Sequence, residues 1–177
     1  GGIYSIPNRR PDIICISSIT STIPRAFQLI EKIRKEHNAN APILIGGPHV
    51  TFLPDEALSH GADFVFRHEA DDSFVQFLQW WSTTRDPQEL FRIPELSFKV
   101  GNQHRHNRRQ SPDTWVDLDA LPTPDLHLVH GFDAPKFIPL ITSRGCPQYC
   151  EFCSEPEMFG HRYRFRSGKK VLEDIQF

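Results

Sequence analysis

Along the first ninety residues the apolar positions alternate between two spacings, and the alternation predicts the elements. Asp12 to Ile19 is a short β-branched run of the kind buried in a parallel sheet. Pro24 suits the first turn of a helix, and Ala26, Phe27, Leu29, Ile30 and Ile33 then recur at helical spacing, with Lys32, Arg34, Lys35 and Glu36 outside. Pro42 to Ile45 is a second buried strand, ended by Gly46-Gly47-Pro48. A short helix is expected around Pro54 to His60, stopped by Gly61. Asp63 to Arg67 reads as a third strand. Asp72 or Ser73 is the expected cap of a helix that faces inward with Phe74, Val75, Leu78 and Trp81. Strand and helix in strict turn mean crossover connections, hence a parallel sheet with helices on both faces. Three strands are few for such a sheet, so a preceding strand is expected to lie outside this sequence.

From Pro94 the texture changes. Glu95 to Val100, the pair Gly101-Asn102 and the polar run Gln103 to Gln110 suggest a strand, a turn and a returning strand. The basic stretch from His104 to Arg109 suits a solvated edge strand or loop better than a nucleic-acid patch. Residues 117–136 read as a linker between an α/β domain over 1–116 and an incomplete second domain over 137–177. In that second part Phe137 to Thr142 is expected to be a buried strand, and Lys169 to Ile175 the start of a helix. The 15 prolines crowd between Pro94 and Pro156, which predicts irregular backbone there.

Composition narrows the function. Hydrophobic content of 38%, with 14 Phe against one Met, supports an aromatic-rich core that includes Trp80 and Trp81. A net charge of -2 gives no reason to expect nucleic acid or an anionic membrane as partner. No apolar run approaches the roughly 18 residues of a membrane span, and no signal peptide is seen. The expectation is a cytoplasmic protein.

Chemistry concentrates near the end, in Ser143-Arg-Gly-Cys-Pro-Gln-Tyr-Cys-Glu-Phe-Cys153. Cys146, Cys150 and Cys153 follow C-x3-C-x2-C. Soft thiolates on one short loop suit an iron–sulfur cluster or zinc. Zinc would want a fourth ligand, for which His161 is nearest in sequence. A disulfide would need an oxidising compartment, and Cys15 lies far off in an apolar run. Three cysteines on a [4Fe–4S] cluster leave one iron open to a small molecule.

This spacing, with Phe152 just before the last cysteine, resembles the signature of the radical S-adenosylmethionine (SAM) enzymes. The N-terminal half has its own pattern: Ser18-Ile19-Thr20 ends the first strand, Gly46-Gly47 ends the second, and 25 residues separate Thr20 from Gly46. Ligands of open α/β sheets bind at such strand ends, where glycine admits a ligand to the backbone and small hydroxyls bond to it. The spacing resembles the later part of the cobalamin (B12)-binding motif. The runs Gly46-Gly-Pro-His-Val, Leu53-Pro-Asp-Glu and Asp63-Phe-Val-Phe-Arg-His-Glu look like the domain preceding the barrel in cobalamin-binding radical SAM enzymes.

The resemblance, from about Asp12 to about Phe165, implies a partial Rossmann-like, flavodoxin-like sheet of the B12-binding type, then the first strand and cluster loop of a radical SAM barrel. It implies Cys146, Cys150 and Cys153 as cluster ligands, Phe152 near the adenine of SAM, and Ser18, Thr20, Gly46 and Gly47 around a cofactor. The implied chemistry is SAM cleavage to a 5′-deoxyadenosyl radical, followed by methyl transfer with cobalamin or a related C–H functionalisation of a small-molecule substrate. A reductant such as flavodoxin or ferredoxin would supply the electron. Three departures stand out. The Asp-x-His-x-x-Gly segment carrying the lower axial histidine is absent upstream of Ser18, and His49 sits on the wrong loop to replace it, which leaves cobalamin without that ligand. The family's Arg-Gly-Glu-x-Glu is here Arg67-His68-Glu69-Ala70-Asp71, with histidine for glycine. Only 24 residues follow Cys153, so the sequence reads as a fragment cut at both ends, without turnover of its own. From a different class, a stand-alone α/β binding module or a zinc-stabilised structural domain stays open.

Overall fold

The computed structural model describes residues 11–36, 40–109, 115–129 and 139–176. The chain divides into two compact units, Gly1–Gln110 and Ser111–Phe177.

In the first unit, strands β1 (Ile14–Ser17), β2 (Ile43–Gly46) and β3 (Phe64–Phe66) are parallel neighbours in that order. The helices α1 (Ile23–Glu36), α2 (Pro48–Phe52), α3 (Pro54–Ser59) and α4 (Asp71–Ser82) run between and after them, followed by the single turn α5 (Pro87–Leu90). The chain then returns as β4 (Leu96–Val100) and β5 (Gln103–His106), which extend the same sheet antiparallel beyond β3. The sheet is therefore mixed, not purely parallel. The direction of β4 is set by its antiparallel pairing with β3, and Gly101, with φ 59° at the first central position of a two-residue turn, folds β5 straight back on β4.

Strand alternation splits the core in two. Ile43, Ile45 and Val65 face α1 and α3, where Ile23, Ala26, Phe27, Ile30, Ile33, Ala57 and Leu58 are buried. Leu44 and Phe66 face α4 and α5 with Leu96 and Phe98 of β4 beside them on the same side of the sheet, among Phe77, Trp80 and Leu90. Helices thus cover both faces, as the apolar periods predict. The phase of α4 differs from expectation in part: Phe74 and Trp81 pack half-buried against this cluster, as expected. Phe77 and Trp80 point inward, edge-on or tilted against Phe64 and each other, while Val75 and Leu78 are exposed. An aromatic cluster fixes the rotation of that helix. Its N-cap is Ala70 and no side chain caps it; Asp71 and Asp72 instead lie in the first turn, where negative charge suits the helix dipole.

In the second unit, β6 (Ser143–Arg144) pairs antiparallel with β7 (Arg164–Phe165), and α6 (Glu155–Phe159) and α7 (Gly168–Gln176) flank them. The expected strand over Phe137 to Thr142 is corrected: 137 and 138 lie outside the described residues, 139–142 form no strand, and pairing begins only at Ser143. A buried ion pair ties the segment before α7 to the last turn of that helix. Arg166 and Asp174 are 7% and 4% exposed and bonded to each other, and Asp174 also accepts from the Thr123 hydroxyl at 2.6 Å. Asp119 accepts from the Ser167 amide at 2.8 Å, which holds its carboxyl below the usual range.

Candidate functional site

At the carboxyl ends of β1 and β2 the predicted residues meet. The Ser18 amide donates to the Gly46 carbonyl at 3.1 Å, carrying the β1–β2 ladder one residue past the strand. Gly47 follows with φ 116° and ψ 174°, a conformation essentially confined to glycine. A Cβ there would stand 2.3 Å from the Ser18 carbonyl oxygen. Gly47 therefore serves the close packing of one loop on the other, a reason the sequence pattern did not reveal. Gly46 differs: a Cβ there would make only ordinary contact with the Phe66 carbonyl, at 3.7 Å, so close packing does not demand glycine at that position.

The hydroxyls around these glycines form two short networks. Buried Ser18 shares a hydrogen bond with Thr22 at 2.9 Å, which tightens the turn into α1. Thr20 reaches His49 instead, with Oγ1 3.4 Å from Nδ1. On its other nitrogen, His49 Nε2 pairs with Glu56 Oε2 at 2.8 Å. If Nε2 donates, the neutral ring offers Nδ1 as acceptor for the Thr20 hydroxyl. His49 is 9% exposed and ties the β1 loop, α2 and α3 together, a role for which its position after a glycine pair gave no signal. Thr51 accepts from the His68 amide at 2.9 Å and donates to the Gly47 carbonyl at 3.1 Å. His68 has φ 55°, so the backbone keeps a left-handed residue where the family motif has glycine.

The cysteine loop connects β6 to α6. Gly145 takes φ 84°, and a Cβ there would meet the carbonyl oxygens of Arg162 at 2.2 Å and Phe159 at 2.9 Å. Only glycine lets the loop pass so near this segment. The Cys146 amide donates to the Gly160 carbonyl at 3.0 Å, and the Cys153 amide to the Cys150 carbonyl at 3.0 Å. All three thiols are free; Cys150 is exposed, and Cys146 and Cys153 are half-buried. The Tyr163 hydroxyl lies 3.8 Å from the Cys146 sulfur, and this contact pushes the Tyr163 pKa up.

Three accessible, unpaired thiols held on one loop suit iron–sulfur ligation by donor chemistry. Among the described residues, no three His, Cys, Asp or Glu side chains stand together as a ready metal site. The loop thus carries the donors without having gathered them. His161, the nearest candidate for a fourth zinc ligand, stacks on Tyr149 with ring centroids 4.7 Å apart and lies 3.4 Å from Glu157. Phe152 is 93% exposed, so its ring is left almost uncovered by the described residues. Among the described residues no helix is long and apolar enough to cross a membrane.

Residues 4–78 match the family described as B12 binding domain. The chain is 34% identical over 172 residues to a protein of Pyrococcus horikoshii named Uncharacterized methyltransferase PH0819, covering 93% of this chain and 36% of that one. It is 28% identical over 167 residues to the bacteriochlorophyllide d C-8(2)-methyltransferase of Chlorobaculum tepidum, covering 93% of this chain and 33% of that one. Among solved structures, the radical S-adenosylmethionine methyltransferase TsrM from Kitasatospora setae, with cobalamin and a [4Fe–4S] cluster bound, gives a TM-score of 0.68 at 16% identity. That match covers 96% of this chain and 35% of TsrM, and speaks to the fold alone. The chain spans about a third of the length of the relatives it matches.

Proposed function

We propose that this chain, whose residues 4–78 match the B12 binding domain and which is 34% and 28% identical to two methyltransferases, is the cofactor-holding part of a cobalamin-dependent radical SAM enzyme. Cobalamin would lie at the carboxyl ends of β1 and β2, bordered by Ser18, Thr20, Gly46 and Gly47. The half-buried backbone at Gly46 and the hydroxyls at the end of β1 suit a polar cofactor at the carboxyl ends of the strands. Cys146, Cys150 and Cys153 would hold a [4Fe–4S] cluster, with exposed Phe152 free to cover SAM. The observation that carries the reading is the thiol loop itself: three free thiols anchored by Gly145, in one chain with a B12 binding domain.

When bound, the cluster and cobalamin supply the electron that cleaves SAM and the methyl group that is transferred. The chain's own residues do simpler work. The three thiols would be the ligands of the cluster, and Gly145 lets their loop pass without a backbone clash. Gly47 and the hydrogen bond from Ser18 to Gly46 hold the two cofactor-bordering loops in register. A small-molecule substrate and a low-potential reductant such as flavodoxin or ferredoxin belong to this proposal. Turnover is proposed for the whole protein, of which these 177 residues cover the length of about a third of its relatives.

The test is anaerobic reconstitution with iron and sulfide, then metal analysis and electron paramagnetic resonance with and without SAM. Cobalamin is added separately and followed by its visible spectrum. About four irons per chain, a resonance that changes with SAM and a perturbed cobalamin spectrum are expected. Zinc or no metal at the loop, in protein that still perturbs cobalamin, would reduce the chain to a B12 carrier.

A further inference from the structure

The Tyr163 hydroxyl is placed within hydrogen-bond reach of one cluster-ligating sulfur, and several features fix it there. Ser143 pairs with Phe165 and Arg144 with Arg164, so the same ribbon continued brings Gly145 and Cys146 beside Tyr163 and Arg162. Gly145 allows the close approach, because any side chain would strike the Arg162 carbonyl. The Cys146 amide is already committed to the Gly160 carbonyl. On the other side, Arg164 lies over the Trp115 ring at 4.7 Å and donates to the Val116 carbonyl at 3.2 Å, which pins β7. Gly160 completes the brace: with φ 90°, it packs where a Cβ would stand 2.1 Å from the Trp115 ring. Tyr163 is therefore presented to Cys146 by a braced ribbon, with its ring tilted beside Phe165 at 5.6 Å.

We propose that Tyr163 is a positioning residue that donates a hydrogen bond to the Cys146 thiolate and thereby raises the reduction potential of the cluster held by that thiolate. The inference rests on the cluster reading above. A donor to a ligand sulfur stabilises the more negative, reduced state, and hydrogen bonds to sulfur are among the protein's main controls over such potentials. Because both oxidation states keep the bond and only its strength differs, the size is that of one ordinary net hydrogen bond, a factor of about three to ten in the ratio of reduced to oxidised cluster.

The experiment uses the full chain, reconstituted with iron and sulfide, as wild type, Tyr163→Phe and Phe165→Leu. The first variant removes only the hydroxyl; the second trims the neighbouring ring and no donor. Iron content is measured first, then the fraction reduced at a series of fixed potentials by electron paramagnetic resonance. The expected result is a cluster in all three proteins, with the reduced-to-oxidised ratio of Tyr163→Phe lowered about three- to tenfold and Phe165→Leu unchanged. Equal ratios in wild type and Tyr163→Phe overturn the inference and leave the cluster reading intact. A wild type that binds no iron overturns both. Should Tyr163→Phe alone fail to load iron, circular dichroism decides: a native spectrum supports the positioning role, and a lost fold overturns it.

Discussion

Replacing Gly47 with alanine tests the claim that loop packing, and not ligand access, requires that glycine. Two costs combine. The backbone at φ 116° and ψ 174° lies in a region that side chains avoid, worth about 1–3 kcal/mol. The new Cβ would also stand 2.3 Å from the Ser18 carbonyl oxygen, a backbone atom that cannot swing aside. Relieving such overpacking typically costs about 1–3 kcal/mol more. A loss of about 3 kcal/mol is therefore expected, a large share of the roughly 5–15 kcal/mol that stabilises a domain. Gly46→Ala is the matched control. Its Cβ meets nothing nearer than the Phe66 carbonyl at 3.7 Å, its φ is not positive, and a change within about 1 kcal/mol is expected. Urea denaturation followed by far-ultraviolet circular dichroism and tryptophan fluorescence, in which Trp80 reports on the first unit's core, reads both. With a slope near 1.5–2 kcal/mol/M, the Gly47→Ala midpoint should fall by roughly 1.5–2 M. Equal midpoints for the two variants would refute the reasoning.

Two further outcomes are expected in the second unit. Asp174→Asn leaves the buried Arg166 guanidinium without its counter-charge, so that unit should lose about 3–5 kcal/mol and melt earlier in a thermal scan; an unchanged melt would mean that the pair is not buried. Asp119 is held below its ordinary pKa chiefly by the Ser167 amide, so its stabilising effect is fully present above about pH 4 and fades as the pH falls through its lowered value. Hydrogen exchange at the Ser167 amide should accordingly lose protection on acidification below pH ~4 in the wild type, and lack that protection at neutral pH in Asp119→Ala.

The local grammar of this chain was legible without a structure wherever one face of an element dictates it. Helix α1 buries Ile23, Ala26, Phe27, Ile30 and Ile33, close to the set its period announces, because a two-sided sheet leaves an amphipathic helix one way to pack. The glycine stops at Gly61 and Gly101 and the cysteine spacing were readable for the same reason: each is a requirement of backbone or donor chemistry carried by a few adjacent residues. What depends on distant partners was not readable. The inward face of α4 was set by Phe64 and Phe66 on another strand, the direction of β4 and β5 by pairing beyond β3, and the short β6 by register with Arg164 and Phe165.

The same division runs through the candidate site. Sequence by itself determined that Ser18, Thr20, Gly46 and Gly47 end neighbouring strands and that three thiols share one loop, since chain order and spacing suffice for that. Only the tertiary structure decided that Gly47 accommodates the Ser18 carbonyl, that His49 links Thr20 to Glu56, and that Tyr163 reaches Cys146. Apart from His49 and Glu56, seven residues from each other, those are meetings between separate segments, 29 residues apart for Thr20 and His49 and 17 for Cys146 and Tyr163. The physical reason is that spacing along a chain encodes local geometry, while close approach depends on how separate elements pack.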